Sequence, residues 1–218
     1  MACWNCGQPS DRSHFCPGCG KIQPVTPGQD YFSFFGCPRR LGLDRSALEK
    51  TFHELSRKFH PDYFQLKPDR ERRFSVERAS LLNDAYRVLR DPVSRMQYLM
   101  EVEGRPAELR SSPPADLLEE VFDLNLQLEE IRSLRQSARS EGIDAARAAL
   151  EQTAARVESK RCRLEEQQQQ LIADWDQLVE RGDDAAGRDK LLDRIGEWLS
   201  QRSYVTNLLS SIETEVAV

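Results

Sequence analysis

Four cysteines crowd into the first twenty residues: Cys3 and Cys6, then, after nine intervening residues, Cys16 and Cys19. Two C-x-x-C pairs at this separation are the donor set of a tetrahedral zinc site. A glycine follows the second cysteine of each pair (Gly7, Gly20), permitting the tight knuckle in which backbone N–H groups point at sulfur. Four protein ligands leave no position open for water, so the expected zinc is structural, one per chain. A segment of about 25 residues cannot bury enough apolar surface to fold unaided, and metal binding would supply its folding energy. Disulfides, iron and thiol redox cycling are the competing uses of the pattern; a reducing cytosol disfavours disulfides. His14 could stand in for one thiolate, but four well-spaced cysteines make it unnecessary. Cys37 and Cys162 are isolated and are expected to be small packing residues.

The second informative group is His60-Pro61-Asp62. A tripeptide alone says little, and the bland alternative is a histidine helix cap followed by a turn. Its surroundings say more. Leu48, Phe52, Leu55 and Phe59 recur at helical spacing before it, and Arg57 and Lys58 occupy the last turn, where cations favour the negative end of the helix dipole. Pro61 ends that helix, having no N–H to donate. Phe74, Leu81, Leu82, Ala85, Tyr86 and Leu89 then mark a second helix, ended by Asp91-Pro92. The expected result is an antiparallel helical hairpin with His-Pro-Asp at its tip and a basic stripe beside it.

These elements sit in an all-α chain of three parts. Residues 1–24 form the knuckle, and Gln23-Pro24-Val25-Thr26-Pro27-Gly28 is a linker that cannot be helical throughout. The hairpin lies within 30–103: Gly36-Cys37-Pro38 ends a short first helix, Asp44 or Ser46 caps the next, and a fourth helix runs over about Val93–Glu103. Gly104-Arg105-Pro106 and Ser111-Ser112-Pro113-Pro114 bracket a break. From Ala115 to about 215 the chain reads as three long helices with turns near Glu141-Gly142 and Arg181-Gly182-Asp183-Asp184. Their apolar seams are Leu117, Val121, Leu124, Leu128 and Ile131; then Leu150, Val157, Leu164, Leu171, Trp175 and Leu178; then Leu191, Ile195, Trp198, Val205, Leu209 and Ile212. No such stripe is stable alone in water, so an antiparallel three-helix bundle is expected. Gln167 to Gln170 reads as a solvated face. Leu118, Phe122 and Leu126 form a second stripe beside the first seam. It is either a wider core contact or a docking patch for a partner protein.

Composition narrows the function. Of 218 residues 31% are charged and 39% hydrophobic, a ratio suited to slim helical bundles, and the net charge is −5. That balance argues against nucleic acid as the main partner, because neutralising phosphates needs a basic field. The knuckle likewise offers little beyond Arg12, Phe15 and Lys21 for a nucleic acid. No run of 18 apolar residues occurs, so no membrane span is expected. The start, Met-Ala-Cys-Trp-Asn-Cys, has neither a signal nor a transit pattern, and a cytoplasmic location is expected.

Residues 30–103 resemble a J domain, the module by which DnaJ-type cochaperones switch on ATP hydrolysis in DnaK-type chaperones. The resemblance lies in Asp30-Tyr31-Phe32, in His60-Pro61-Asp62 and in Leu82-Asn83-Asp84-Ala85-Tyr86-Arg87-Val88-Leu89-Arg90-Asp91-Pro92. Tyr63 follows the tripeptide where many J domains carry Lys. A J domain joined directly to a three-helix bundle, with no Gly/Phe-rich linker, is similar to the HscB cochaperones of iron–sulfur cluster biogenesis, over residues 30–215. Asp30 to Gly36, His60 to Phe64 and Arg95-Met96-Gln97-Tyr98-Leu99 are the clearest points, and the CWNCG…CPGCG knuckle is similar to that of zinc-bearing members. The resemblance implies a non-enzymatic cochaperone. His60, Pro61, Asp62, Arg57 and Lys58 would engage a DnaK/HscA-type chaperone, with Asp62 as partner for a cation and His60 and Pro61 holding the loop. Leu117, Leu118, Phe122 and Tyr204 would bind an IscU-type scaffold; Glu119 stands where the family usually has Met or Ile. A J protein for another client and a zinc/thiol redox protein are the alternatives.

Overall fold

Asp44 and Pro61 bound the helix that carries the basic stripe. The Asp44 carboxylate accepts the Ser46 and Ala47 N–H groups at 2.9 and 3.4 Å, so Asp44 and not Ser46 is the cap. In the computed structural model, which describes residues 2–10, 13–105, 117–136, 142–182 and 184–216, the chain divides into two units, Met1–Val102 and Glu103–Val218. The break at Ser111 to Pro114, and Ala115, Glu141, Asp183 and Arg12, lie outside the described residues.

The first unit holds α1 (Tyr31–Phe35), α2 (Arg45–Phe59), α3 (Asp69–Arg90) and α4 (Pro92–Val102), with a single 3-10 turn over Pro61–Phe64 between α2 and α3. Asp30 caps α1, its Oδ1 accepting the Ser33 N–H at 2.8 Å, and Asp91 starts α4 through the Ser94 N–H at 2.7 Å. Phe52 of α2 stacks on Tyr86 of α3 at 4.2 Å, while the Phe59 carbonyl accepts the Ser75 hydroxyl at 2.6 Å. Pairing 52 with 86 and 59 with 75 makes the two helices antiparallel, as the sequence pattern requires. Leu48, Leu55, Phe59, Phe74, Leu82, Ala85 and Leu89 are buried, joined from α1 by Phe32 and Phe34 and from α4 by Met96 and Leu99. Buried Arg95 donates to the carbonyls of Leu89 and Leu41, and the Tyr98 hydroxyl accepts the Tyr31 N–H at 2.9 Å. Cys37 is half-buried and donates to the Phe32 carbonyl, whereas Cys162 is exposed on its helix, so packing is not its role.

The second unit is the three-helix bundle: α5 (Leu118–Gln136), α6 (Ile143–Arg181) and α7 (Ala185–Val216). Arg156 of α6 pairs with Asp123 of α5 at 2.7 Å, Arg194 of α7 with Asp174 of α6 at 2.8 Å, and the Trp198 indole donates to the Leu164 carbonyl. Most seam positions are buried, with three departures. Val121, Leu178 and Leu209 are only half-buried, and Leu192, Leu199 and Leu208 enter the core instead. Helix α7 packs on both α6 and α5, so its buried face is wider than a two-in-seven stripe. The helices are also unequal: α5 has 19 residues against 39 in α6. Among the described residues no helix is long and apolar enough to cross a membrane.

Candidate functional site

The knuckle is built twice over from the same local pattern. The Gly7 N–H returns to the Cys3 carbonyl at 3.0 Å and the Gly20 N–H to the Cys16 carbonyl at 2.9 Å. Both glycines hold φ near +70°, 74° and 69°, where a side chain would be strained. The two turns bring four sulfurs within 4.8 Å of one another, Cys3 with Cys19 at 3.7 Å and Cys6 with Cys16 at 3.6 Å. A tetrahedron with metal–sulfur bonds of about 2.3 Å has edges of about 3.8 Å, so this cage has the size for one metal ion. The Asn5 N–H and the Gln23 side-chain amide each donate to Cys3 Sγ at 3.4 Å, the outer shell that orients a thiolate ligand. Without a cation the sulfurs compete for charge. At Cys3 burial raises the pKa, but donors from the Cys6 and Asn5 backbone and from neighbouring thiols outweigh it and bring the thiol down to about 6. At Cys6 the Gln8 backbone favours the thiolate, yet burial and the neighbouring thiols push it up to about 12. A divalent ion at the centre removes that conflict.

His14 is not a fifth candidate ligand. It faces Phe34 and Phe59, with ring centroids at 4.8 and 5.0 Å, and its Nδ1 lies 2.6 Å from an Arg78 guanidinium nitrogen. Burial, with the Arg78 charge adding to it, holds its pKa down to about 4, so the ring is neutral and accepts. Arg78 is the residue that sequence reasoning missed. It is 0% exposed in the middle of α3, and its fork also donates to the carbonyls of Gln23 at 2.6 Å and Pro24 at 2.8 Å. Burial lowers even its pKa, to about 10. Lys21 reaches the buried Glu71 at 2.7 Å, Trp4 meets Phe74 edge-on at 6.0 Å, and Arg70 lies over the Trp4 ring. The knuckle is therefore docked along α3, within the same unit as the hairpin. One signal was available: Arg78 lies in phase with Phe74, Leu82, Ala85 and Leu89, on the face that must be buried.

At the hairpin tip the chain is rigid below and open above. His60 Nδ1 accepts the Asp62 N–H at 3.3 Å, and Gln65 donates to the Asp62 carboxylate at 3.2 Å. Phe59 and Phe64, on either side of the tripeptide, are buried and anchor it. His60, Pro61 and Asp62 are themselves exposed, as are Arg57 and Lys58 one turn back on α2. A fixed, accessible carboxylate beside two cations can give charge-assisted hydrogen bonds to another protein.

In the bundle, Leu118, Phe122 and Leu126 are 51%, 65% and 51% exposed, so their stripe is not a wider core contact. Leu117 is different. At 1% exposure it points into the bundle and lines a crevice with Leu164 and Val205, which removes it from any accessible patch. Position 117 is one residue, about 100° of helix, away from 118, and that rotation separates core from surface. Tyr204 is half-buried on α7, next to Val205.

Hairpin, tripeptide and basic turn together define the class of J-domain proteins: the DnaJ domain family matches residues 30–98. The chain is 37% identical over 138 residues to the human iron-sulfur cluster co-chaperone protein HscB, covering 60% of this chain and 58% of that protein. It is 43% identical over 107 residues to the co-chaperone protein HscB homolog of Azoarcus sp. strain BH72, covering 48% and 60%. The aligned part thus spans about three fifths of these relatives' length. The crystal structure of human HscB superposes with a TM-score of 0.61 at 27% identity, covering 99% of this chain and 98% of that one. HscB from Vibrio cholerae gives 0.54 at 25%, covering 85% and 96%. Residues 30–98 thus match a DnaJ domain, and the chain is similar to HscB co-chaperones over about three fifths of its sequence and in its fold.

Proposed function

We propose that this chain is a non-enzymatic co-chaperone of iron–sulfur cluster assembly. Residues 30–103 stimulate ATP hydrolysis by a DnaK/HscA-type chaperone, residues 115–215 present an IscU-type scaffold protein to it, and the knuckle of residues 1–24 carries one structural zinc. The observation that carries this reading is the anchored, exposed His60-Pro61-Asp62 turn beside Arg57 and Lys58. The names of the relatives support it. The exposed Leu118 and Phe122, with Tyr204, are the proposed scaffold contact; Leu117 supports them from beneath. Two modest contacts held on one protein raise the effective concentration of the scaffold at the chaperone. A tetra-thiolate site persists in a reducing compartment, which supports a cytoplasmic location. No nucleic-acid or membrane partner is proposed.

The test is an ATPase assay with full chain, DnaK-type chaperone and IscU-type scaffold. Hydrolysis should rise with the chain alone and rise further when scaffold is added. Leu118 and Phe122 are 51% and 65% exposed, so burying what remains of them is worth roughly 2–3 kcal/mol in area terms, of which association costs leave only part. Leu118→Ala with Phe122→Ala should therefore weaken scaffold binding at least about tenfold. Because both side chains are exposed, the bundle's melting should barely move. Stimulation without scaffold should be unchanged. A chain that stimulates no DnaK-type ATPase overturns the reading.

Zinc is tested separately. Purified chain should carry about one zinc per molecule, and Cys3→Ser or Cys16→Ser should release it while the bundle keeps its helicity. Undiminished zinc in both variants would place the ligands elsewhere.

A further inference from the structure

Phe59 is the last residue of α2 and immediately precedes His60. It is fully buried, and two knuckle side chains close over it. The Phe15 ring stacks on the Phe59 ring at 5.9 Å, tilted by only 26°, and the His14 ring meets it edge-on at 5.0 Å. On the other side Ser75 of α3 holds the Phe59 carbonyl. His14 is itself locked by Arg78, and Phe15 is adjacent to Cys16 and bridged to Ile22. His60 and Asp62, by contrast, bond to each other and to Gln65 within the same turn. The turn's direction is thus set at its buried ends, and one of those ends is clamped by the knuckle.

We infer that Phe15 and His14 are positioning residues for the His60-Pro61-Asp62 turn: the metal-bearing knuckle braces Phe59 and so pre-aims the surface that meets the chaperone. The inference rests on the co-chaperone reading and deepens it. Loosening the brace leaves every exposed contact group in place but lowers the fraction of molecules whose turn is correctly aimed. Apparent affinity falls in proportion to that fraction, while the response at saturation is kept.

The experiment compares the parent with Phe15→Ala, Phe15→Tyr and Asp62→Asn as full chains, each titrated into a DnaK-type chaperone under single-turnover ATP hydrolysis. Metal content and hydrogen exchange of residues 59–64 are measured on the same samples. Phe15→Ala should keep its metal, raise the half-saturating concentration at least about fivefold with an unchanged plateau, and speed exchange in the turn. Phe15→Tyr, which keeps the stacked ring, should restore parental values. If Phe15→Ala loses its metal, Phe15→Leu replaces it in the comparison with the same expected outcome. Parental half-saturation and exchange in a metal-loaded Phe15→Ala or Phe15→Leu chain overturns the brace. Full stimulation by Asp62→Asn instead overturns the co-chaperone mechanism itself, so the two failures are distinguishable.

Discussion

Asp62→Asn should leave the chain folded and cut its stimulation of a DnaK-type ATPase by more than tenfold, at the plateau as well as at low concentration. The carboxylate is exposed; it accepts from Gln65, a bond that the Asn oxygen can still accept, and its other oxygen lies 3.5 Å from His60 Nδ1. The Asp62 N–H, which His60 holds, is main chain and unaffected. Stability should therefore stay within about 0.5 kcal/mol of the parent, as for other surface changes. What is lost is the charge. A hydrogen bond to a charged partner contributes about 1.5–3 kcal/mol, and its removal at the tip of a small contact reaches more than tenfold. Thermal melting alongside ATPase stimulation checks both halves; a folded Asp62→Asn chain with parental stimulation would remove the tripeptide from the mechanism.

Arg78→Ala is expected to have the largest effect on stability. The guanidinium satisfies the Gln23 and Pro24 carbonyls and the neutral His14 ring, and it is sealed from water beneath the knuckle. Truncation leaves those acceptors buried without a donor and opens a cavity. Breaking such a network costs about 3–5 kcal/mol, which for a unit of this size lowers the melting temperature by about 15–25 °C. Arg78→Met fills much of the volume but supplies no donor, so it should recover only part of the loss. A calorimetric scan should show the lowered transition in the J-domain unit while the bundle keeps its own. An Arg78→Ala chain that melts as the parent does would mean that water takes over the three acceptors at little cost.

Much of this arrangement was legible because it depends on local spacing. The cysteine pairs, the stop at Pro61 and the 3.6-residue stripes each follow from neighbours along the chain; that Leu118, Phe122 and Leu126 share a face was legible too, but not whether that face is core or surface. The rest depends on tertiary context. Leu117 and Leu118 are both leucines at a helix start, and only packing against α6 and α7 decides which one is sealed. Leu208 and Leu209 pose the same problem on a helix with two neighbours. The docking of the knuckle left only the phase of Arg78 as a signal, for another reason. Glu71 and Arg78 on α3 look like ordinary polar positions until the knuckle meets them, and Ser75 does until the Phe59 carbonyl takes its hydroxyl. Polar residues are read as exposed unless their partners are known, and these partners are 50 to 64 residues distant, or 16 for Ser75.

That separation has a kinetic consequence. The turn between α2 and α3 closes a short loop, so the hairpin can form early at small entropic cost. Each bond of the Arg78 fork instead spans 54 to 64 residues and contributes only once residues 14–24 have come back onto α3. The network is then largely absent from the folding transition state. Loss of Arg78 should appear almost wholly as faster unfolding, with refolding close to the parental rate. The buried guanidinium acts as a latch on a structure already assembled, and it sets how long the native state lasts rather than how quickly it is reached.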